Sequence, residues 1–303
     1  MKNILFIISM HRSGSSLLTK GLEACDVGLG DCLMKPQNDN PKGFFEDQEI
    51  VDFNDRMLCI SDYHWSLPTR LRDEIDKVSY LRLKEEARIL LLEKIKKVSN
   101  SYFGIKDPRL CRLLNFWSEV CQENNIKYKI VFLVRNPNEI SLSLNKREGI
   151  PKDGGYALWL DYMFSIMSFF REIRVDFFYI DLDSFLLNLE LSIVEISNYL
   201  NTEVDKSILK EFVESFYEPR LIHTKVSTDI KSKTWMLFKS IKSFRVLKLD
   251  EVNSLLMSLK KEMSTKKALQ GKASQLDWHR KAEAKSFRKI IDKLNNNNVR
   301  KPD

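Results

Sequence analysis

The segment from His11 to Ser16 brings a guanidinium, three hydroxyls and a glycine together in six residues. It follows the apolar run 4–10 and precedes leucines at helical spacing, so the sequence predicts a strand, a tight polar loop and a helix. Such a loop points backbone N–H groups and serine hydroxyls at one place in front of a helix, which suits a phosphate. Arg12 adds a permanently charged donor fork. An ordinary strand–helix turn explains the same loop, because short loop matches are weak signals.

A second candidate group is the carboxylate of Glu46, which follows Phe44 and Phe45. Apolar rings exclude water from a carboxylate and raise its pKa toward that of a general base. The alternative is that Glu46 and Asp47 are acidic residues that complement the dipole of a helix N-terminus. Spacing alone favours this alternative.

Lys106 ends a short predicted strand, residues 102–105, and is followed by Asp107-Pro108-Arg109. The carboxyl ends of strands in an α/β sheet are where ligands bind. Lys106 is therefore a candidate to contact the oxygens of a transferred group. A capping pair formed by Asp107 and Arg109 explains the same residues equally well.

Arg135 directly follows the clearest buried strand of the sequence, residues 128–134. Ser143 comes eight residues later, about two helical turns along the next predicted helix. The two side chains are predicted to converge on one phosphate. An arginine in a surface ion pair and a solvent-facing serine remain the alternative.

Strands and helices alternate along the chain, which predicts an α/β fold with a parallel sheet flanked by helices on both faces. Residues 26–47 and 149–155 are predicted to be loops, and 184–200 a single helix. The open stretches 26–45, 60–75 and 146–157 are expected to shape an acceptor site, with Trp65 at its mouth.

Charge divides the 303 residues unevenly. Residues 225–303 hold 20 lysines and arginines against 8 acidic residues, whereas the whole chain has a net charge of only +7. We therefore divide the chain into a domain of residues 1–224 and a basic, helical C-terminal extension, residues 225–303. That extension favours anionic surfaces such as acidic lipid headgroups or glycans.

Three further features of the sequence concern the location of the protein and its need for a metal. The chain leads from Met1 directly into its first strand, and no apolar run approaches 18 residues, so neither a signal peptide nor a transmembrane helix is predicted. The five cysteines form no Cys-x-x-Cys pair, which predicts a reduced, cytoplasmic chain. None of the four histidines has metal-ligand spacing, so no metal site is predicted.

In order and spacing these motifs resemble those of the PAPS-dependent sulfotransferases, over roughly residues 3–203. The Arg-Ser-Gly-Ser form of the first loop is similar to that of the carbohydrate and tyrosylprotein branches. The most specific element is the arginine followed by a serine eight residues later. The family's Gly-x-x-Gly-x-Trp-Lys loop is missing, and whether Trp235, which is flanked by lysines, replaces its adenine contacts is left open by the sequence. The resemblance implies a P-loop-like fold.

The resemblance also implies roles for individual residues. The 5'-phosphosulfate of PAPS would be held by Arg12, Ser13, Gly14, Ser15 and Ser16. Its 3'-phosphate would be held by Arg135 and Ser143. Lys106, with Arg12, would stabilise the sulfuryl group in transfer. Glu46 would take the proton of the acceptor, with Asp47 and His11 as the fallback bases. No metal is implied.

The sequence therefore predicts transfer of a sulfuryl group from PAPS to a hydroxyl, leaving PAP. A saccharide of a cell-surface glycan or a glycolipid is the expected acceptor. The basic extension would contact the inner face of a membrane, and no nucleic-acid partner is expected. One alternative is a nucleotide-dependent kinase, although the Gly-Lys-Ser/Thr of a Walker A loop is absent. The other is a non-catalytic basic module that binds nucleic acid.

Overall fold

The computed structural model describes residues 3–37, 40–60, 65–66, 75–173 and 175–218, together with 238, 241 and 257–258. Five strands are present: β1 (Asn3–Ile8), β2 (Val27–Gly28), β3 (Tyr102–Lys106), β4 (Tyr128–Val134) and β5 (Phe178–Asp181). All five are parallel and form one sheet in the order β2-β3-β1-β4-β5. The α-helices are α1 (Ser15–Gly21), α2 (Gln48–Ile60), α3 (Lys77–Lys97), α4 (Leu110–Glu123), α5 (Pro137–Glu148), α6 (Lys152–Ile173), α7 (Leu182–Leu187), α8 (Leu189–Leu200) and α9 (Lys206–Glu211).

The sheet is buried on both faces, because its strands are apolar at successive positions. In β1, Ile4 and Phe6 face a core formed with helices α2 to α6. Leu5 and Ile7, which point the other way, face a second core with α1, α7 and α8. The predicted parallel α/β sheet with helices on both faces is therefore confirmed.

Parallel pairing brings the carboxyl ends of three strands to one edge of the sheet. Ile7 of β1 lies beside Lys106 of β3, and Ile8 lies beside Phe132 of β4. The segments that follow β1, β3 and β4 therefore leave the sheet next to one another. These are the segments in which the sequence placed Arg12, Lys106 and Arg135.

Three predicted boundaries were wrong. Val27–Gly28 forms a short edge strand inside the predicted loop 26–47. Helix α6 begins at Lys152, inside the predicted loop 149–155. There Gly155 serves packing, since a Cβ on it would lie 2.7 Å from Ser141 Oγ on α5. The predicted helix 184–200 is divided at Asn188 into α7 and α8.

The predicted basic extension, residues 225–303, lies almost wholly outside the described residues. Two described residues within it are apolar and buried against the first core: Phe238, with its ring 6.4 Å from Trp159, and Ile241. The division into two domains therefore stays a prediction. Among the described helices, none combines the length and the hydropathy needed to cross a bilayer.

Candidate active site

The loop after β1 has an unusual backbone. Arg12 and Gly14 adopt the left-handed region, with φ of 67° and 85°. Helix α1 then starts at Ser15, and N–H groups in the first turn of a helix have no partner within the helix. Ser15 and Ser16 line a cleft, whereas Ser13 is buried behind them and is not part of the cleft wall. Ser15 and Ser16 are therefore the loop serines that face the cleft, and the role of Ser13 stays a prediction.

Arg12 connects this loop to helix α5. Its Nε donates to Ser143 Oγ at 2.9 Å, across 131 residues of sequence. Its carbonyl oxygen accepts a hydrogen bond from Arg135 Nη1 at 2.9 Å, and Arg135 Nε donates to Glu139 at 2.8 Å. The structure thus brings Arg135 and Ser143 to the same residue, since Arg135 contacts the carbonyl of Arg12 and Ser143 contacts its guanidinium.

Lys106 joins the other side of the loop to Glu46. Its ammonium donates to Glu46 Oε1 at 2.5 Å, to the Phe44 carbonyl at 2.9 Å and to Ser16 Oγ at 3.5 Å. Lys106 and Glu46 are each only 5% exposed. A cation and a carboxylate are therefore held together at the edge of the cleft, within reach of the loop hydroxyl.

A left-handed backbone at Phe45 directs the Phe44 carbonyl and the Glu46 carboxylate toward the ammonium of Lys106. Phe45 has a φ of 56°, and the residues on either side of it, Phe44 and Glu46, both contact the ammonium. The rings of Phe45 and Phe216 pack in a T-shaped arrangement, with their centroids 5.8 Å apart. Lys42 hydrogen-bonds the carbonyl of Phe216. These contacts hold the strained turn in place.

Burial raises the pKa of Glu46, and the charge of Asp107 raises it further. The cations Lys106 and Arg109 oppose this effect in part. The expected rise in the pKa of this carboxyl is confirmed, with burial as its main cause. A buried carboxylate with a raised pKa is suited to accept a proton, so Glu46 stays the candidate base.

Asp47 has a different role from its neighbour. Its Oδ1 accepts the backbone N–H groups of Glu49 (3.1 Å) and Ile50 (3.3 Å), which caps α2. Its Oδ2 lies 2.8 Å from the ammonium of Lys94. The helix-terminus interpretation therefore describes Asp47, whereas Glu46 turns toward Lys106. Asp47 does not line the cleft, which makes it a poor fallback base.

The fallback base His11 lies in the cleft wall beside aromatic rings. Its ring centroid is 4.2 Å from that of Trp65, and Nε2 is buried without a hydrogen-bond partner among the described residues. Burial lowers the pKa of His11 well below its usual value, and Arg109 and Lys106 lower it further. The imidazole is therefore neutral at neutral pH.

Asp107 and Arg109 form the capping pair that the sequence left open. Asp107 Oδ1 accepts from the backbone N–H and from Nη1 of Arg109, both at 2.9 Å. Asn54 Nδ2 donates to the other oxygen of Asp107 at 2.8 Å. The cap fixes the chain after β3, and Lys106 lines the cleft, where its contact with a transferred group stays a prediction.

The cleft itself has a volume of about 780 Å³, within the usual range for a small-molecule site. Sequence reasoning missed two groups in its wall. Asn40 donates to Ser16 Oγ at 3.3 Å and to the Gly43 carbonyl at 2.6 Å. Lys146 lies on α5, one turn beyond Ser143. Neither belongs to a motif, so only the three-dimensional arrangement identifies them.

Gly14→Ala is expected to disturb this loop specifically. An alanine there would occupy a left-handed backbone, which disfavours L-residues by about 1–2 kcal/mol, and its Cβ would lie 2.8 Å from Leu182 Cδ1. Gly149→Ala is the matched control, because Gly149 is also left-handed, with φ +69°, but has open space around it. Thermal unfolding should show both variants destabilised. Only Gly14→Ala should lose affinity for a phosphate ligand, and equal losses would contradict the role given to the loop.

No protein-family model matches the chain, and no curated protein matches it. Solved structures resemble it at low identity. A sulfotransferase domain from the Synechococcus PCC 7002 olefin synthase is 17% identical, with a TM-score of 0.49, over 82% of this chain and 97% of that chain. A sulfotransferase domain from the curacin biosynthetic pathway is 14% identical, with a TM-score of 0.45, over 86% and 98%. A mouse sulfotransferase complexed with PAP is 13% identical, with a TM-score of 0.40, over 86% and 90%. Identities this low do not transfer an activity.

Proposed function

We propose that the chain is a PAPS-dependent sulfotransferase that transfers a sulfuryl group to a hydroxyl. The observation that carries the proposal is the position of Arg12 between two candidate anion sites. On one side lie the loop and Lys106, and on the other lie Ser143 and Arg135. A nucleotide with anionic groups at both the 5' and the 3' positions of its ribose fits such a cleft. PAPS is such a nucleotide.

The residues present suit this donor. The first-turn N–H groups and hydroxyls of Ser15 and Ser16, with Arg12, would hold the 5'-phosphosulfate. Arg135 and Ser143 would hold the 3'-phosphate. PAPS would supply the sulfuryl group, as the S–O bond to its 5'-phosphate breaks and a bond to the acceptor oxygen forms.

Lys106 and Glu46 would have different roles in the transfer. Glu46 would take the proton from the acceptor hydroxyl, since burial raises its pKa. Lys106 would donate to the bridging oxygen, which leaves with PAP and gains negative charge. Preorganised cations at a site of developing charge are the usual means of stabilising such a transfer. Both side chains are buried and hydrogen-bonded to each other, so the pair is preorganised for the transfer.

The acceptor in this proposal is a saccharide of a glycan or a glycolipid. His11, Trp65 and Phe44 line the cleft near Lys106, and aromatic faces suit the apolar face of a sugar ring. The proposal also includes contact of the basic residues 225–303 with a membrane surface, in the cytoplasm. This part rests on composition alone.

Calorimetric titration of the wild-type protein with PAP and, separately, with adenosine 5'-monophosphate (AMP) tests the proposal. We expect PAP to bind at least tenfold more tightly, because only PAP has the 3'-phosphate. Transfer of labelled sulfate from PAPS to a panel of saccharides then tests the acceptor class. Equal binding of the two nucleotides, or turnover of ATP that requires magnesium, would instead support the kinase.

A further inference from the structure

The cleft-facing side of α5 carries a lysine without a role in the mechanism above. Ser143 and Lys146 are three residues apart on this helix, and both belong to the cleft wall. Residues at this spacing lie on one face of a helix, with Cβ atoms about 5–6 Å apart. Lys146 is exposed, so its long side chain can reach a ligand held by Ser143.

Five other cations of the cleft are compensated by carboxylates, and a sixth, Arg12, donates to Ser143 Oγ. Lys106 pairs with Glu46 at 2.5 Å, and Arg135 pairs with Glu139 at 2.8 Å. Three further pairs are Lys42 with Glu218 (2.7 Å), Arg109 with Asp107 (2.9 Å) and Arg147 with Glu148 (3.2 Å). Within the part of the chain that the structure describes, Lys146 has no carboxylate partner.

The difference between the paired cations and Lys146 matters most at the proposed 3'-phosphate site. A phosphate monoester carries about −1.5 to −2 charges at neutral pH. Arg135 is compensated by Glu139 and also donates to the carbonyl of Arg12. Ser143 adds a hydroxyl but no charge. Arg12 donates to Ser143 but is shared with the proposed 5'-phosphosulfate, so Arg135, Ser143 and Arg12 together have less positive charge than the two anionic groups have negative charge.

We infer that Lys146 supplies the missing charge and is a specificity residue for the 3'-phosphate of the donor. This inference rests on the proposed function and deepens it. Lys146 recognises a phosphate monoester at the ribose 3' position. This phosphate would lie beside α5, between Ser143 and Lys146. It selects the bisphosphorylated nucleotide over AMP, which lacks that group. Its flexible stem lets it follow the phosphate without a fixed pocket.

The test is titration of three variants with PAP and AMP. Lys146→Ala is expected to weaken PAP binding about tenfold, the loss typical of one charge-assisted contact, and to leave AMP binding within twofold. Lys146→Arg should retain most of the affinity for PAP, because the charge is kept. Lys96→Ala removes an exposed lysine of α3 that does not line the cleft, and should change neither affinity.

The outcomes separate the inference from the proposed function. If the wild type prefers PAP over AMP and Lys146→Ala keeps the full preference, the inference is wrong while the proposed function stands. Equal weakening of PAP and AMP would also overturn it, since Lys146 would then act on the whole nucleotide. If the wild type does not distinguish the nucleotides, the proposed function fails, and the inference with it.

Discussion

Arg135→Ala is expected to weaken PAP binding about 100-fold, the equivalent of about 2.7 kcal/mol, with a much smaller effect on AMP. The guanidinium is the proposed donor fork for the 3'-phosphate, and hydrogen bonds to charged groups contribute about 1.5–3 kcal/mol each. AMP should also bind more weakly, by about threefold, because Arg135 supports the carbonyl of the left-handed residue Arg12. Calorimetric titration of both nucleotides measures the two effects separately.

Stability must be checked beside affinity, because Arg135→Ala leaves the buried carboxylate of Glu139 without its salt bridge. Arg135→Lys keeps a cation near Glu139 but loses the planar fork, so it should unfold near the wild-type temperature while still binding PAP weakly. Arg171→Ala, on the exposed end of α6, is the control for loss of an arginine. Unchanged PAP affinity in Arg135→Ala would contradict the proposed 3'-phosphate site.

The parts of the site that sequence could predict are those determined by the chain next to them. The strand 128–134 has the predicted bounds, because its apolar run from Ile130 to Val134 is unbroken and is followed by a charged residue. Lys106 and Arg135 are at strand ends, where the sequence placed them, and parallel pairing is enough to bring them to one edge of the sheet. The raised pKa of Glu46 is one of two interpretations that the sequence leaves open, and burial of the carboxylate in the folded chain agrees with it.

The remaining features depend on partners distant in sequence. Arg135 and Ser143 are predicted to converge on one phosphate, and their spacing does not indicate the guanidinium of Arg12 that the structure places on Ser143. Only tertiary structure shows that Glu46 faces Lys106 and Asp47 faces Lys94, since adjacent carboxylates have the same local pattern. Gly155 suggested a loop because glycine usually marks one. Its actual reason is the close approach of α5 and α6.

Glu46→Gln is expected to lower the rate of transfer about 10³-fold, within the usual range for loss of a general base. Glutamine has the same shape and keeps an oxygen that can accept from Lys106, so PAP should bind within threefold of wild type. The measurement is transfer of labelled sulfate from PAPS to the best acceptor of the saccharide panel, with kcat and KM determined separately. The loss should appear in kcat.

The pH dependence distinguishes Glu46 from His11 as the base. A base works when deprotonated, so activity should rise with pH through the pKa of Glu46. Because burial raises that pKa, the acid limb should lie at higher pH than for an exposed glutamate. In Glu46→Gln the residual activity should lose this limb, whereas His11→Gln should keep it. A limb that survives Glu46→Gln and disappears in His11→Gln would make His11 the base.

The contact between Glu46 and Lys106 allows a prediction about the two residues together, because their charges are coupled. While Glu46 is ionised, its carboxylate holds the ammonium at 2.5 Å. Once Glu46 has accepted the proton of the acceptor, it no longer attracts Lys106, which is then free to donate to the leaving oxygen as that oxygen gains charge. The two residues therefore act as a unit. The double variant Glu46→Gln/Lys106→Met should lose little more activity than the worse single variant, whereas additive losses would show that they act independently.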